Sequence, residues 1–166
     1  RLESIRKANL ELHTLNNRLS TMVTNLKNIS EDEKFITTDL YHYSDTLYYI
    51  VEQKLLLPDS NYETFYYTYN LSDIELKPIC RLEARVNIRE NGISIRLDNI
   101  DTMYGKREGH ASRQIKKLIR YGKDIGATKI TGELWKGTPI GVDNLKKFYI
   151  KNGFEVGENN FIKYLK

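Results

Sequence analysis

Residues 93–126 read ISIRLDNIDTMYGKREGHASRQIKKLIRYGKDIG. Ile93, Ile95 and Leu97 alternate with polar neighbours, the period of a half-buried strand. Ile100 falls on the opposite parity. A parity switch within one strand is what an inserted residue produces, so a β-bulge is expected near Asp98-Asn99. Met103 to Ala111 then forms a loop with two glycines and two cations. A helix follows, with Ala111, Ile115, Leu118, Gly122 and Ile125 on one face and Arg113, Lys116, Lys117, Arg120 and Lys123 mostly elsewhere. Gly126 fits its C-terminal cap. A glycine-bearing turn that opens a helix leaves backbone N–H groups and the positive end of the helix dipole facing outward, which forms a site for phosphate. Lys106 and Arg107 add charge. The alternative is a solvated loop; the flanking strand and helix are what favour an anion site.

Upstream, Cys80, Leu82, Ala84, Val86 and Ile88 alternate with Arg81, Glu83, Arg85, Asn87 and Arg89. That is a strand, joined to the next by the hairpin signal Asn91-Gly92. Cys80 lies on the apolar side and reads as a buried, inert thiol. Downstream, Lys129 to Trp135 is a strand, with Ile130, Gly132 and Leu134 facing one way and Thr131, Glu133 and Trp135 the other. Asp143 to Asn152 is a short helix closed by Gly153. Phe154 to Val156 and Phe161 to Leu165 read as two final strands.

These segments resemble the GNAT superfamily of N-acetyltransferases. Lys106-Arg107-Glu108-Gly109-His110-Ala111 resembles its acetyl-CoA pyrophosphate motif, Arg/Gln-x-x-Gly-x-Gly/Ala. Leu145 to Phe154 resembles its helix-to-strand signature, Phe-Tyr followed by Gly-Phe. Asp124 to Ile130 resembles its usual exit from helix into strand. The match covers residues 79–166. Lys106 stands where the family prefers Arg or Gln, and Val142 where many members have Asn. Nothing in residues 1–78 matches the family's substrate-binding first helices. The resemblance implies a fold between α+β and α/β: a mixed, mostly antiparallel twisted sheet flanked by helices. It also implies that two parallel strands splay at the bulge to admit acetyl-CoA.

The implied activity is direct acyl transfer from acetyl-CoA to a small-molecule or peptide amine. A backbone N–H around Asn99, Ile100 and Asp101 would polarise the thioester carbonyl. Lys106, Arg107, Glu108, Gly109, His110 and Ala111 would hold the cofactor, with His110 facing solvent or the CoA phosphates. Tyr149 would protonate the leaving thiolate. For the base, Glu133, Glu83, Asp98 and Asp101 are all candidates. A competing reading is a non-catalytic GNAT-like binding or assembly module of a phage or mobile element.

Residues 1–30 have a separate pattern. Ile5, Leu12, Leu19 and Leu26 recur every seven residues, as do Ala8, Leu15, Met22 and Ile29. As a and d positions they make four uninterrupted heptads. A coiled-coil helix that self-associates through residues 1–29 is expected, ahead of an acetyltransferase-like domain over 31–166. Between them, Asp39 to Lys54 has near-helical spacing of Leu40, Tyr43, Leu47, Ile50, Val51 and Leu55. Pro58 to Asn61 is a turn. The aromatics Tyr62, Phe65, Tyr66, Tyr67 and Tyr69 could stack bases, but core packing is the commoner use of such a run.

Composition sets the outer bounds. The chain has 166 residues, 40% of them hydrophobic and 29% charged, enough for one folded domain with a small appendage. The net charge of +4 favours anionic partners in general without singling out nucleic acid. A single cysteine excludes an internal disulfide framework and fits a reducing, cytoplasmic compartment. No apolar run approaches the roughly 20 residues of a membrane span. His13, His42 and His110 lack ligand spacing, so no metal site is expected. No Gly-x-Ser-x-Gly elbow is present for a serine hydrolase. The abundance of Tyr, Asn, Ile and Lys suggests an AT-rich coding genome, such as a low-GC bacterium or its phage. Arg1 at the start reads as a fragment of a longer chain.

Overall fold

The computed structural model describes residues 1–102 and 109–166. Alternating residues dictate its centre. Strand β4 (Pro78–Arg89) buries Cys80, Leu82, Ala84 and Val86 and turns the residues between them outward. It pairs antiparallel with β5 (Gly92–Thr102) across the two-residue loop Glu90-Asn91, so Gly92 opens the return strand instead of completing the turn. Helix α2 (His110–Asp124) follows, capped by Gly126 at φ 75°. Strand β6 (Ala127–Glu133), helix α3 (Val142–Lys151) and strands β7 (Glu155–Val156) and β8 (Asn160–Tyr164) complete the order expected from residue 79 onward.

Residues 36–70 depart from the expected helix at Asp39–Lys54. They form a meander of β1 (Ile36–Tyr43), β2 (Thr46–Leu56) and β3 (Tyr62–Asn70). The physical reason lies in β2, where Tyr48, Tyr49, Ile50 and Val51 are buried in succession. A strand covered on both faces has no polar alternation to betray it, and its apolar run can be read at either period. Its β-branched and aromatic residues are those that favour a pleated surface. Of the aromatic run of β3, Tyr66 and Tyr69 are core, while Tyr62, Phe65 and Tyr67 are half-buried.

The eight strands form one sheet in the order β1-β2-β3-β4-β5-β6-β8-β7. Every pairing is antiparallel except β5 with β6. The chain thus has the mixed, mostly antiparallel sheet that the resemblance implied. On one face, α2 and α3 cover a core of Ile50, Tyr66, Leu82, Val86, Ile95, Ile115, Leu118, Ile130 and Phe161. Gln114, fully buried on α2, fixes the helix to the sheet: its Nε2 reaches the Tyr66 carbonyl (3.2 Å), Thr68 Oγ1 (2.9 Å) and the Cys80 carbonyl (3.1 Å). Buried amide donors need such partners, since an unmade bond costs about 1–3 kcal/mol. On the other face, Ile29 and Met22 of α1 (Leu2–Glu31) pack with Tyr49, Val51, Tyr69 and Leu71. Among the described residues, no helix is long and apolar enough to cross a membrane.

Candidate active site

The bulge lies where the parity switch put it. Glu83 pairs with Asn99, but Ala84 pairs with Leu97, which leaves Asp98 as the inserted residue. The parallel ladder between β5 and β6 ends at the same point, with Leu97 opposite Gly132. Beyond it, Asn99 to Thr102 stay with β4, while β6 continues with β8 through Gly132–Phe161 and Glu133–Asn160. Two parallel strands therefore part at Leu97 and Gly132. In a ladder, alternate backbone groups point to each side, so those of β5 that face away from β4 aim into this gap. Gly132 sits at its apex. A Cβ there would lie 2.1 Å from Phe161 Cζ and 2.8 Å from the Leu97 carbonyl oxygen. The room taken by a missing side chain lets the Phe161 ring slide beneath the gap. Phe161 in turn stacks on Tyr149, with ring centroids 3.7 Å apart.

Tyr149 reaches this place from α3, with Phe154 edge-on at 5.6 Å. It is 4% exposed. Its hydroxyl makes no hydrogen bond among the described residues. Burial raises its pKa well above the usual phenol value, because the phenolate loses hydration there. The phenol is therefore protonated throughout the neutral range.

On the face opposite α2, the bulge adjoins a pocket of about 230 Å³ lined by Glu63, Phe65, Arg81, Glu83, Ala84 and Asp98. Its charges are matched. Arg81 pairs with Glu83, and Arg85 reaches Glu63 at 3.0 Å. Arg96 spans the parting strands, with Nε 3.0 Å from Asp98 and Nη2 3.3 Å from Glu133. The guanidinium of Arg81 also lies over the rings of Phe65 and Tyr67, at 5.7 and 5.8 Å.

At the mouth of α2, Gly109 is the N-cap with φ 81° and ψ 10°, a left-handed conformation that favours glycine. The intrahelical ladder begins with Arg113 N–H donating to the Gly109 carbonyl (3.0 Å), which leaves the amides of Ala111 and Ser112 ahead of it. Among the described residues, a Cβ on Gly109 would meet nothing within 4 Å.

Among solved structures, the chain is similar to the NatC complex bound to Gag peptide and CoA, at a TM-score of 0.52 and 14% identity over 61% of this chain and 71% of that one. It is also similar to nourseothricin acetyltransferase, at a TM-score of 0.50 and 9% identity over 86% of this chain and 94% of that one. The chain has the GNAT fold. No protein-family model matches the sequence, and no curated protein matches it either. Within this GNAT fold, β2 passes to β3 through the short turn around Pro58 to Asn61, so strands occupy residues 36–70.

The GNAT fold brings Asp98, Asn99, Gly132, Glu133 and Tyr149 around one opening. Glu133 is solvent-exposed and tied to Arg96; Asp98 is less exposed and bound to the same arginine. Ile100 packs against the core, while Asn99 and Asp101 are exposed. Lys106, Arg107 and Glu108 lie outside the described residues. His110 does not face solvent, since the residue is 1% exposed. Its Nδ1 shares a hydrogen bond with the Tyr41 hydroxyl (2.6 Å), and its ring packs on Tyr48 at 4.6 Å. Ala111 packs beside Tyr48, Ile79 and Cys80. The cations of α2 also have internal work. Arg113 lies over the Tyr41 ring at 4.3 Å, and Lys117 pairs with Asp39 at 3.1 Å. Sequence reasoning missed Glu63, Phe65, Arg81 and Arg96 as neighbours of the bulge. Reading Tyr62–Asn70 as a strand would have put Glu63 and Phe65 on the polar face of the sheet, next to Arg81 and Arg85.

Proposed function

We propose that the chain is an acetyl-CoA-dependent N-acetyltransferase acting on a small-molecule or peptide amine. The observation that supports it most is the parting of β5 and β6 at the Asp98 bulge, beside the buried phenol of Tyr149. Bound acetyl-CoA supplies an acetyl group activated as a thioester. Backbone amides of Asn99 to Asp101 that face the gap polarise the carbonyl where negative charge develops. Tyr149 keeps its proton near the thiolate's place of departure. The amine arrives from the opposite face through the pocket at Glu63, Phe65 and Glu83. Glu83 or Asp98 takes its proton once the paired arginine yields, and Glu133 does so through water. The pyrophosphate rests over Gly109 at the opening of α2, where the missing Cβ leaves the backbone approachable.

Turnover is tested with a panel of primary amines and saturating acetyl-CoA, following the free thiol released. Cys80 will not disturb such an assay. It is fully buried, its thiol is pushed up to about 11 by burial, and its Sγ donates to Gln114. Acetylation of one amine class is the expected result. Tight CoA binding with no turnover on any amine would make the chain a binding module. The cofactor's place is tested separately by calorimetry on Gly109→Trp and Gly109→Ala. Both variants bear the strain of a left-handed residue, about 1–2 kcal/mol, but only the indole fills the space above the cap. CoA affinity should fall at least roughly tenfold further in Gly109→Trp, about 1.4 kcal/mol. Equal affinities would put the pyrophosphate elsewhere.

A further inference from the structure

The structure splits α1 into two uses that the heptads alone do not separate. Residues 1–17 are exposed throughout. The helix first meets its own domain at Arg18, whose Nε donates to Ser72 Oγ (3.3 Å). It continues with Met22, with Asn25, whose Nδ2 donates to the carbonyls of Leu71 and Asp73 (2.8 Å each), and with buried Ile29. These four are spaced i, i+4, i+7 and i+11, so they form one face. In the heptad frame they are g and d positions of the second to fourth repeats. The earlier a and d positions, Ile5, Ala8, Leu12, Leu15 and Leu19, are left on the projecting part. Ile5, Leu12, Leu15 and Leu19 are 51%, 57%, 51% and 49% exposed.

This seam runs about 21 Å at 1.5 Å per residue. An uncovered helix of that length is marginal in water. A helix that lies on a globular surface keeps a period near 3.6, whereas a strict 3.5 keeps its stripe aligned only against another helix that supercoils with it. The chain itself carries such a helix. The flanking positions also suit a like partner: Ser4, Asn9 and Asn16 are neutral, Glu11 is charged, and Arg18 is already engaged with Ser72. Two identical copies therefore bring no rows of like charge together, and no opposite-charged rows call for a different partner.

We propose that α1 pairs with α1 of a second copy through Ile5, Ala8, Leu12, Leu15 and Leu19, while Met22, Asn25 and Ile29 hold the helix to its own domain. This is independent of the catalytic reading. Sedimentation equilibrium on the full chain tests it. The expected mass is at least twice that of one chain. Leu12→Asp combined with Leu15→Asp should reduce it to one chain and leave the melting temperature of the domain unchanged, because those side chains lie on the exposed part of the helix. The milder pair Leu12→Ala and Leu15→Ala should raise the dissociation constant at least roughly tenfold. A single-chain mass for the wild type at every concentration overturns the proposal. So does an Asp pair that keeps the wild-type mass, or an Ala pair that keeps the wild-type dissociation constant.

Discussion

Tyr149→Phe should lower turnover by on the order of 10²-fold at saturating acetyl-CoA, the usual range for loss of a positioned acid. The substitution removes one hydroxyl and keeps the ring that stacks on Phe161 at 3.7 Å and meets Phe154 edge-on. Cofactor affinity should therefore persist. Stability should hold, because the hydroxyl makes no hydrogen bond among the described residues that the substitution would remove. This separates a proton donor from a merely structural phenol, whose loss would lower the melting temperature and spare the rate. The pH profile adds a second check. Burial raises the phenol's pKa, so the protonated donor is present at neutral pH and is lost only as pH rises through that raised value. The wild-type rate should accordingly show no fall from this group up to about pH 10, where an ordinary phenol ionises. A Tyr149→Phe protein at full rate would remove the role and leave Glu133 with an ordered water as the next candidate.

How much of this was legible in the sequence depended on whether the signal was local. The Asp98 bulge announced itself because both strands of its hairpin are polar on one side, so one inserted residue flips a visible pattern. Helix α2 was legible for the same reason, with Ile115 and Leu118 inward and Lys116, Arg120 and Lys123 outward. Strand β2 was not. Tyr48 to Val51 are covered from both sides, by α1 and by α2, and neither cover is written near them in the sequence. His110 failed differently. Its neighbours in the chain are a glycine loop and a basic helix, which suggest solvent, but its partner Tyr41 is 69 residues away on β1. Arg81–Glu83 and Arg96–Asp98 are neighbours along one strand, but Arg85–Glu63 and Arg96–Glu133 join β4 to β3 and β5 to β6, and only the register of the sheet brings those together. The heptads of α1 were readable, yet the division of labour along them was not, because it depends on where Leu71 to Asp73 meet the helix.

Gly132→Ala should both destabilise the fold and depress turnover, with Phe161 as the link between the two. The backbone of Gly132 is one that any residue adopts, so glycine is needed there for space alone. The added methyl would sit 2.1 Å from Phe161 Cζ, 2.7 Å from its Cε2 and 2.8 Å from the Leu97 carbonyl oxygen. The ring has little freedom to retreat, because it is stacked on Tyr149 and met edge-on by Phe154 at 5.4 Å. The carbonyl is backbone at the last paired position before the strands part. Overpacking of this kind typically costs about 1–3 kcal/mol. For a chain of this size that corresponds to a fall in melting temperature of roughly 2–4 °C per kcal/mol. Any shift of Phe161 also moves Tyr149, so the rate should drop even at temperatures where the variant is folded. Combining Gly132→Ala with Phe161→Leu supplies the missing room and should recover much of the stability, a coupling that a double-mutant cycle measures directly. The rate should recover less, since Tyr149 then lacks the ring that holds its orientation. A Gly132→Ala protein with wild-type melting temperature and turnover would show that the apex of the gap has space to spare, and the contact chain from Gly132 through Phe161 to Tyr149 would lose its functional meaning.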